Sequence, residues 1–264
     1  MTDQSTQGPV VRLSRPADHL ALVTLCRPEA RNAVNPELAG QMEAAVETTE
    51  SDPSVRVVVL TGEGSTAFCS GADLKVVSAG GLDSLFTARN GFAGFNHAKR
   101  DKPWIAAVNG FALAGGCEMA LACDMIVASQ EAAFGLPEVM RGLIASTGGL
   151  YRLTRAVPRN VALELIATGG RISASRAYDL GLVNRLAPAG EAVGAALALA
   201  AEIAANAPLA VRESLAVARL AMDLDEAELR RAGDEAQRRI MATEDFREGP
   251  CAFVEKRSPN WVGR

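Results

Sequence analysis

The sequence predicts an α/β fold, and three observations predict it. Short apolar runs rich in β-branched residues at 55–61, 105–108 and 125–128 read as strands buried on both faces. A complete helix-start signal, Asn35-Pro36-Glu37-Leu38, precedes the first of them. After about residue 190 the strand signal ends, and residues 191–205, 209–222, 226–241 and 245–256 all read as helices. Strands alternating with helices define the class.

In chain order, residues 10–13 and 20–26 form a strand pair around the turn Pro16-Ala17-Asp18. Asn35 caps the first helix, Pro36 opens it and Glu37 suits its positive end; the helix runs through Met42, Ala45 and Val46 to about Glu50. Residues 104–128 resemble a membrane span in composition but hold Asn109, Glu118 and Asp124 among glycines. In lipid those groups would lack partners, so the stretch reads as strand, turn, helix and strand. On helix 209–222 Leu215, Ala218, Leu220 and Met222 are apolar, while Arg212, Glu213 and Arg219 are polar; the charges of helix 226–241 read as a solvated face. The chain therefore divides into a polar tail over 1–8, a core over 9–190 and a helical region over 191–264, packing on its own core or on another subunit.

Composition excludes several functions. The chain has 264 residues, 48% of them hydrophobic, and a formal charge of −4, which gives no reason to expect nucleic acid. No run of Lys and Arg suggests a membrane surface. The first nine residues lack a basic segment and an apolar stretch, so they read as a frayed tail rather than a signal peptide. Cys26, Cys69, Cys117, Cys123 and Cys251 are odd in number and scattered; this argues against a disulfide framework or a zinc site and points to a reducing cytoplasm. Cys117 and Cys123 read as small buried hydrophobes. Gly62-Glu63-Gly64-Ser65-Thr66-Ala67 matches G-x-G-x-x-A, but a further turn follows where a dinucleotide site needs a long helix. No G-x-S-x-G elbow and no His-Glu-x-x-His pair occurs, so neither a serine hydrolase nor a metal enzyme is implied.

Two glutamates carry most of the functional signal. Glu118 lies in Gly115-Gly116-Cys117-Glu118 and Glu138 in Phe134-Gly135-Leu136-Pro137-Glu138, both in the most apolar part of the chain. Burying an unpaired carboxylate is costly and raises its pKa, which is what general acid–base chemistry uses. The alternative is an ion-paired glutamate and one on a solvated face. Two glycine turns, Ser70-Gly71-Ala72-Asp73-Leu74 and Leu113-Ala114-Gly115-Gly116, each end a loop and open a helix. The first amides of a helix have no internal partner, and two of them converging on one point would make an oxyanion hole; taken singly, each is an ordinary helix start.

These segments, together with Arg27-Pro28-Glu29-Ala30-Arg31-Asn32-Ala33, Lys102-Pro103-Trp104 through Asn109-Gly110, and Ala252-Phe253-Val254-Glu255-Lys256-Arg257, make the chain similar to the crotonase (enoyl-CoA hydratase/isomerase) family over nearly its whole length. The resemblance implies a spiral of repeated β-β-α turns with a helical C-terminal region, and trimers or dimers of trimers. It implies an acyl-CoA thioester substrate with no cofactor beyond the coenzyme A that the substrate carries. It maps the oxyanion donors onto the N–H groups of Ala72 and Gly115, and the two hydratase carboxylates onto Glu118 and Glu138. Coenzyme A contacts map onto Arg31, Ala33, Asp73 and Leu74, with Phe253 and Lys256 reaching the nucleotide of a neighbouring subunit. Glu118 would activate water and Glu138 would protonate Cα.

The chain departs from the family pattern at Ala114, where many members have a third glycine, and at Ala145-Ser146, where Pro or Ala followed by Gly is common. Ser146 adds a hydroxyl near the reacting end. Residues 76–99 match least; Phe86, Phe92 and Phe95 read either as an apolar wall of the acyl pocket or as ordinary core. Rival readings on the same scaffold are an isomerase, which needs one carboxylate, a thioester hydrolase and a specialised hydroxyacyl-CoA dehydratase. A non-catalytic CoA-ester binding protein is the rival of a different class.

Overall fold

The apolar runs of the sequence become the middle of a six-stranded sheet in the computed structural model, which describes residues 8–264. The predicted tail, apart from Gly8, lies outside the described residues. β1 (Val11–Ala17) and β2 (Leu20–Leu25) form the expected antiparallel pair, but the turn comes later than predicted. Pro16 and Ala17 stay in β1, the register slips between Ser14 and Ala17, and His19 turns the chain at φ 65°. Pro16 is tolerated because β1 is a sheet edge, where its missing N–H breaks no ladder.

α1 (Pro36–Ser51) starts as predicted, the Leu38 N–H donating to Asn35 Oδ1 at 2.8 Å. β3 (Val57–Gly62), β4 (Ala67–Cys69) and α2 (Leu74–Ser78) follow, then the two-residue strands β5 (Phe86–Thr87) and β6 (Gly91–Phe92). The stretch that resembled a membrane span is β7 (Trp104–Val108), β8 (Phe111–Leu113), α3 (Gly115–Ala122) and β9 (Met125–Ser129). Beyond it come β10 (Ala133–Gly135), α4 (Gly149–Ala156), α5 (Arg159–Thr168), β11 (Arg171–Ser173), α6 (Ala174–Asp179) and β12 (Arg185–Ala187). The chain ends with α7 (Ala192–Ala204), α8 (Pro208–Arg219), α9 (Glu226–Met241) and α10 (Glu244–Glu255).

The large sheet runs β1-β2-β3-β7-β9-β12 and is parallel from β2 onward. Side chains alternate across it. Val58, Leu60, Ala106, Val108, Ile126 and Ala128 face the main core, which α1 and α3 help to fill. Val57, Val59, Ile105, Ala107 and Val127 face the other way, onto Ala196, Leu199, Ala200 and Ala204 of α7. Covering on both faces is why these strands are apolar at nearly every position. It also makes α7 a layer of the core, so the compositional change near residue 190 does not mark the edge of the packed unit. α8 to α10 lie beyond that layer and are largely exposed. Arg219 of α8 is anchored to Asp124 at 2.8 Å, and Asp245 of α10 accepts the N–H groups of Val262 and Gly263.

The second sheet, β11-β10-β8-β4, places the site. β4, β8 and β10 are mutually parallel, so their carboxyl ends lie along one edge. From β4 the chain enters Ser70-Gly71-Ala72-Asp73, from β8 it enters Ala114 and α3, and from β10 it enters Leu136-Pro137-Glu138. The carboxyl edge of a parallel sheet, where loops diverge into helices, is the usual place for a ligand in such folds.

Candidate active site

The two glycine turns meet. Gly71 holds φ +92°, and a Cβ built on it would lie 2.8 Å from the Ala114 methyl and 2.9 Å from the Gly115 nitrogen. Only glycine lets the backbones approach this closely. Gly116 is pressed against β4 in the same way, a Cβ there falling 2.1 Å from the Cys69 carbonyl oxygen. Residues 70–73 are held from the other side by the segment 31–34: Ser70 N–H donates to Arg31 O, Val34 N–H to Gly71 O and Asp73 N–H to Val34 O. Among the described residues the N–H groups of Ala72 and Gly115 find no acceptor. Two unpartnered amides therefore sit on turns in contact, the arrangement an oxyanion hole needs. Ala114, between β8 and α3, has φ 50° and ψ −131°, a conformation free to glycine and strained for any other residue.

The two glutamates are brought to the same place by opposite means. Glu118, 3% exposed on the first turn of α3, is satisfied on both oxygens. Its Oε1 accepts the N–H groups of Thr147 and Gly149, each at 2.8 Å, and its Oε2 accepts the Thr147 hydroxyl at 2.5 Å. The carboxylate thus serves the orphan donors at the start of α4. A carboxylate met by three donors is placed to accept hydrogen bonds rather than to give one. Glu138, 8% exposed, sits on a 3-10 turn, Pro137–Arg141, and its Oε2 has no partner among the described residues. Burial pushes its pKa up to about 7; its own backbone N–H opposes this, the Glu118 charge adds to it and Arg141 lowers it.

The predicted coenzyme A residues fall in two places. Ala33 is buried beside the 70–73 turn, Arg31 is exposed without an ion-pair partner among the described residues, and Leu74 is half exposed at the start of α2. The Asp73 carboxylate is already engaged: it caps α2 through the Lys75 N–H and pairs with Arg27 at 3.1 Å. Phe253 and Lys256 lie on and just after α10, which packs on α9, and Phe253 is 85% exposed. The aromatic trio separates. Phe92 lies against the Gly115 turn and meets Phe86 edge-on at 5.5 Å, whereas Phe95 is fully buried against Trp104 at 5.1 Å, a core position. Ser146 is exposed, and Cys117 is buried with its thiol pushed up to about 12. Among the described residues no cluster of His, Cys, Asp and Glu is placed to hold a metal. Thr147 and Asn96, missed in the sequence, belong to the site; the only signal was the Gly148-Gly149 pair after Thr147.

A family model described as enoyl-CoA hydratase/isomerase matches residues 16–264. A carnitinyl-CoA dehydratase of Proteus mirabilis is 40% identical over 247 residues, covering 92% of this chain and 94% of its own length. A mevalonyl-coenzyme A hydratase of Aspergillus fumigatus is 38% identical over 262 residues, covering 97% and 96%. The crystal structure of an enoyl-CoA hydratase from Mycobacterium tuberculosis superposes with a TM-score of 0.92 at 40% identity, covering 97% of this chain and 100% of that one.

Proposed function

The chain belongs to the enoyl-CoA hydratase/isomerase family, the crotonase superfamily, and from that premise we propose that it adds water across the 2,3 double bond of a 2-enoyl-CoA thioester and, in reverse, dehydrates a 3-hydroxyacyl-CoA. One observation carries the reading: a single site holds one carboxylate met by three donors and a second, with one oxygen unpartnered among the described residues, raised to about 7. Environments that push two carboxyls apart assign the base and the acid. Glu118, ionised, takes a proton from the water that attacks Cβ. Glu138, protonated near neutral pH, delivers a proton to Cα. The N–H groups of Ala72 and Gly115 hold the thioester carbonyl and stabilise the enolate-like charge that develops on it. An isomerase would need only one of the two carboxyls, so the divided pair favours hydration.

The coenzyme A moiety lies along Arg31, Ala33, Asp73 and Leu74, with the free Arg31 guanidinium suited to a phosphate. The acyl group lies against Phe92, beside Gly115, within reach of Ser146. No cofactor is required beyond the coenzyme A of the substrate. The protein works as a homotrimer or a dimer of trimers in which Phe253 and Lys256 reach a neighbour's nucleotide; the exposed Met241, Phe246, Phe253 and Val254 support this, since lone chains rarely leave so many apolar side chains bare. Five free cysteines support a cytoplasmic setting.

The test is loss of the conjugated enoyl absorbance on adding the protein to crotonyl-CoA and to longer, branched and polar 2-enoyl-CoAs. Glu118→Gln and Glu138→Gln should each slow turnover by about 10²- to 10⁴-fold with thioester affinity retained. Wild-type rates in either variant would remove its assigned role. Tight thioester binding with no turnover of any substrate would replace the enzyme reading with a binding one.

A further inference from the structure

Glu118 receives more support than its backbone donors alone provide, and the extra support comes from residues to which the hydration chemistry assigns no part. Thr147 Oγ stands between two partners. It receives the Asn96 Nδ2 amide at 2.8 Å and lies 2.5 Å from Glu118 Oε2. A hydroxyl has one proton. With an amide N–H already directed at the oxygen, that proton is directed to the carboxylate, so the chain Asn96 to Thr147 to Glu118 runs one way.

The two upstream residues are themselves clamped. A single guanidinium, that of Arg152 on α4, donates from one nitrogen to the Thr147 carbonyl at 3.2 Å and from another to the Asn96 carbonyl at 2.7 Å. Gly148 makes room for it: a Cβ there would fall 2.0 Å from the Arg152 Nη1. Asn96 and Thr147 are both buried. An ionised carboxylate offers about four acceptor directions. The Thr147 and Gly149 amides fill the two on Oε1 and the Thr147 hydroxyl fills one on Oε2, leaving a single direction for the water that Glu118 deprotonates.

Resting on the hydratase reading, we infer that Thr147 and Asn96 are positioning residues, a side-chain brace that fixes the plane of the Glu118 carboxylate and aims its one remaining acceptor direction at the attacking water. The two amide bonds fix Oε1 but leave the carboxylate free to twist about it; the hydroxyl removes that freedom. Alignment of this kind separates a productive base from one merely nearby.

The test substitutes the brace in the full-length protein. Thr147→Val keeps the shape and removes the hydroxyl. It should lower kcat for 2-enoyl-CoA hydration about tenfold to a hundredfold, the usual effect of losing a hydrogen bond to a charged group, with KM changed by less than about twofold. Thr147→Ser should restore kcat. Asn96→Leu should cause a smaller loss that vanishes in the Thr147→Val background, since the two act through one hydroxyl. Three results would overturn the brace: wild-type kcat in Thr147→Val, a defect that serine does not rescue, or additive losses in the double variant. A wild type that hydrates no 2-enoyl-CoA would overturn the hydratase reading instead. The brace would then be judged by the crystal structure of Thr147→Val, in which the Glu118 carboxylate must rotate out of its wild-type plane, and an unmoved carboxylate would reject it.

Discussion

The wall of the site built by α3 and α4 and the wall built by the 3-10 turn 137–141 treat the same chemical group in opposite ways. On the first, Glu118 is met by three donors, two of them backbone amides at a helix start. On the second, Glu138 is buried with one oxygen unpartnered, and desolvation pushes its pKa up to about 7. Both residues are glutamate and both are buried; they differ in the donors each meets, and Arg141 also acts on Glu138. One backbone segment, 147–149, supplies donors to one carboxyl and none to the other, and the proposed division into base and acid rests on that difference.

The largest expected effect removes what both walls share. Gly71→Ala places a methyl beside the Gly115 N–H, which in the proposed site donates to the thioester oxygen, and should lower kcat at least about a hundredfold with both glutamates intact. An unaffected rate would place the carbonyl elsewhere. Next come two substitutions with opposite effects on stability. Glu118→Gln turns an NH₂ toward groups that are themselves donors and should destabilise the fold by about 2 kcal/mol in urea. Glu138→Gln should stabilise it by about 2 kcal/mol near pH 8 and by almost nothing near pH 4. The sign follows from the raised pKa: wild-type stability is intact below the ordinary value of 4.5 and is lost as the pH climbs to about 7 and the buried carboxyl must ionise. Equal effects in the two variants would erase the distinction between the walls. The smallest effect is Ala114→Gly, which relieves the strained φ of 50° and should raise stability by up to about 1 kcal/mol, strain relief outweighing the added chain entropy. A lower Tm would show that Ala114 carries no strain.

Much of this was legible in the sequence because the informative groups are local. Asn35-Pro36 announces α1, residues 55–61 read as a buried strand where β3 lies, and Gly115 lies three residues from Glu118. The illegible parts depend on distant partners. β4, β8 and β10 are three residues each, too short to display a period, yet they set the edge where the site forms. Thr147 meets Glu118 across 29 positions and Asn96 across 51, and nothing around either residue announces a role. Pro16 looked like a turn because its tolerance at a sheet edge is a property of the sheet. α7 looked like the start of an appendage because its alanine-rich face acquires meaning only against Val57, Val59 and Ile105.

The central claim is that environment divides the two carboxyls into base and acid. It is tested most directly by ¹³C titration of the Glu138 side chain in the wild-type protein. A midpoint near 7 that falls when Glu118 is replaced by glutamine is the predicted result, since the neighbouring charge contributes to the rise. A midpoint in the ordinary glutamate range near 4.5, unchanged by that replacement, would contradict it.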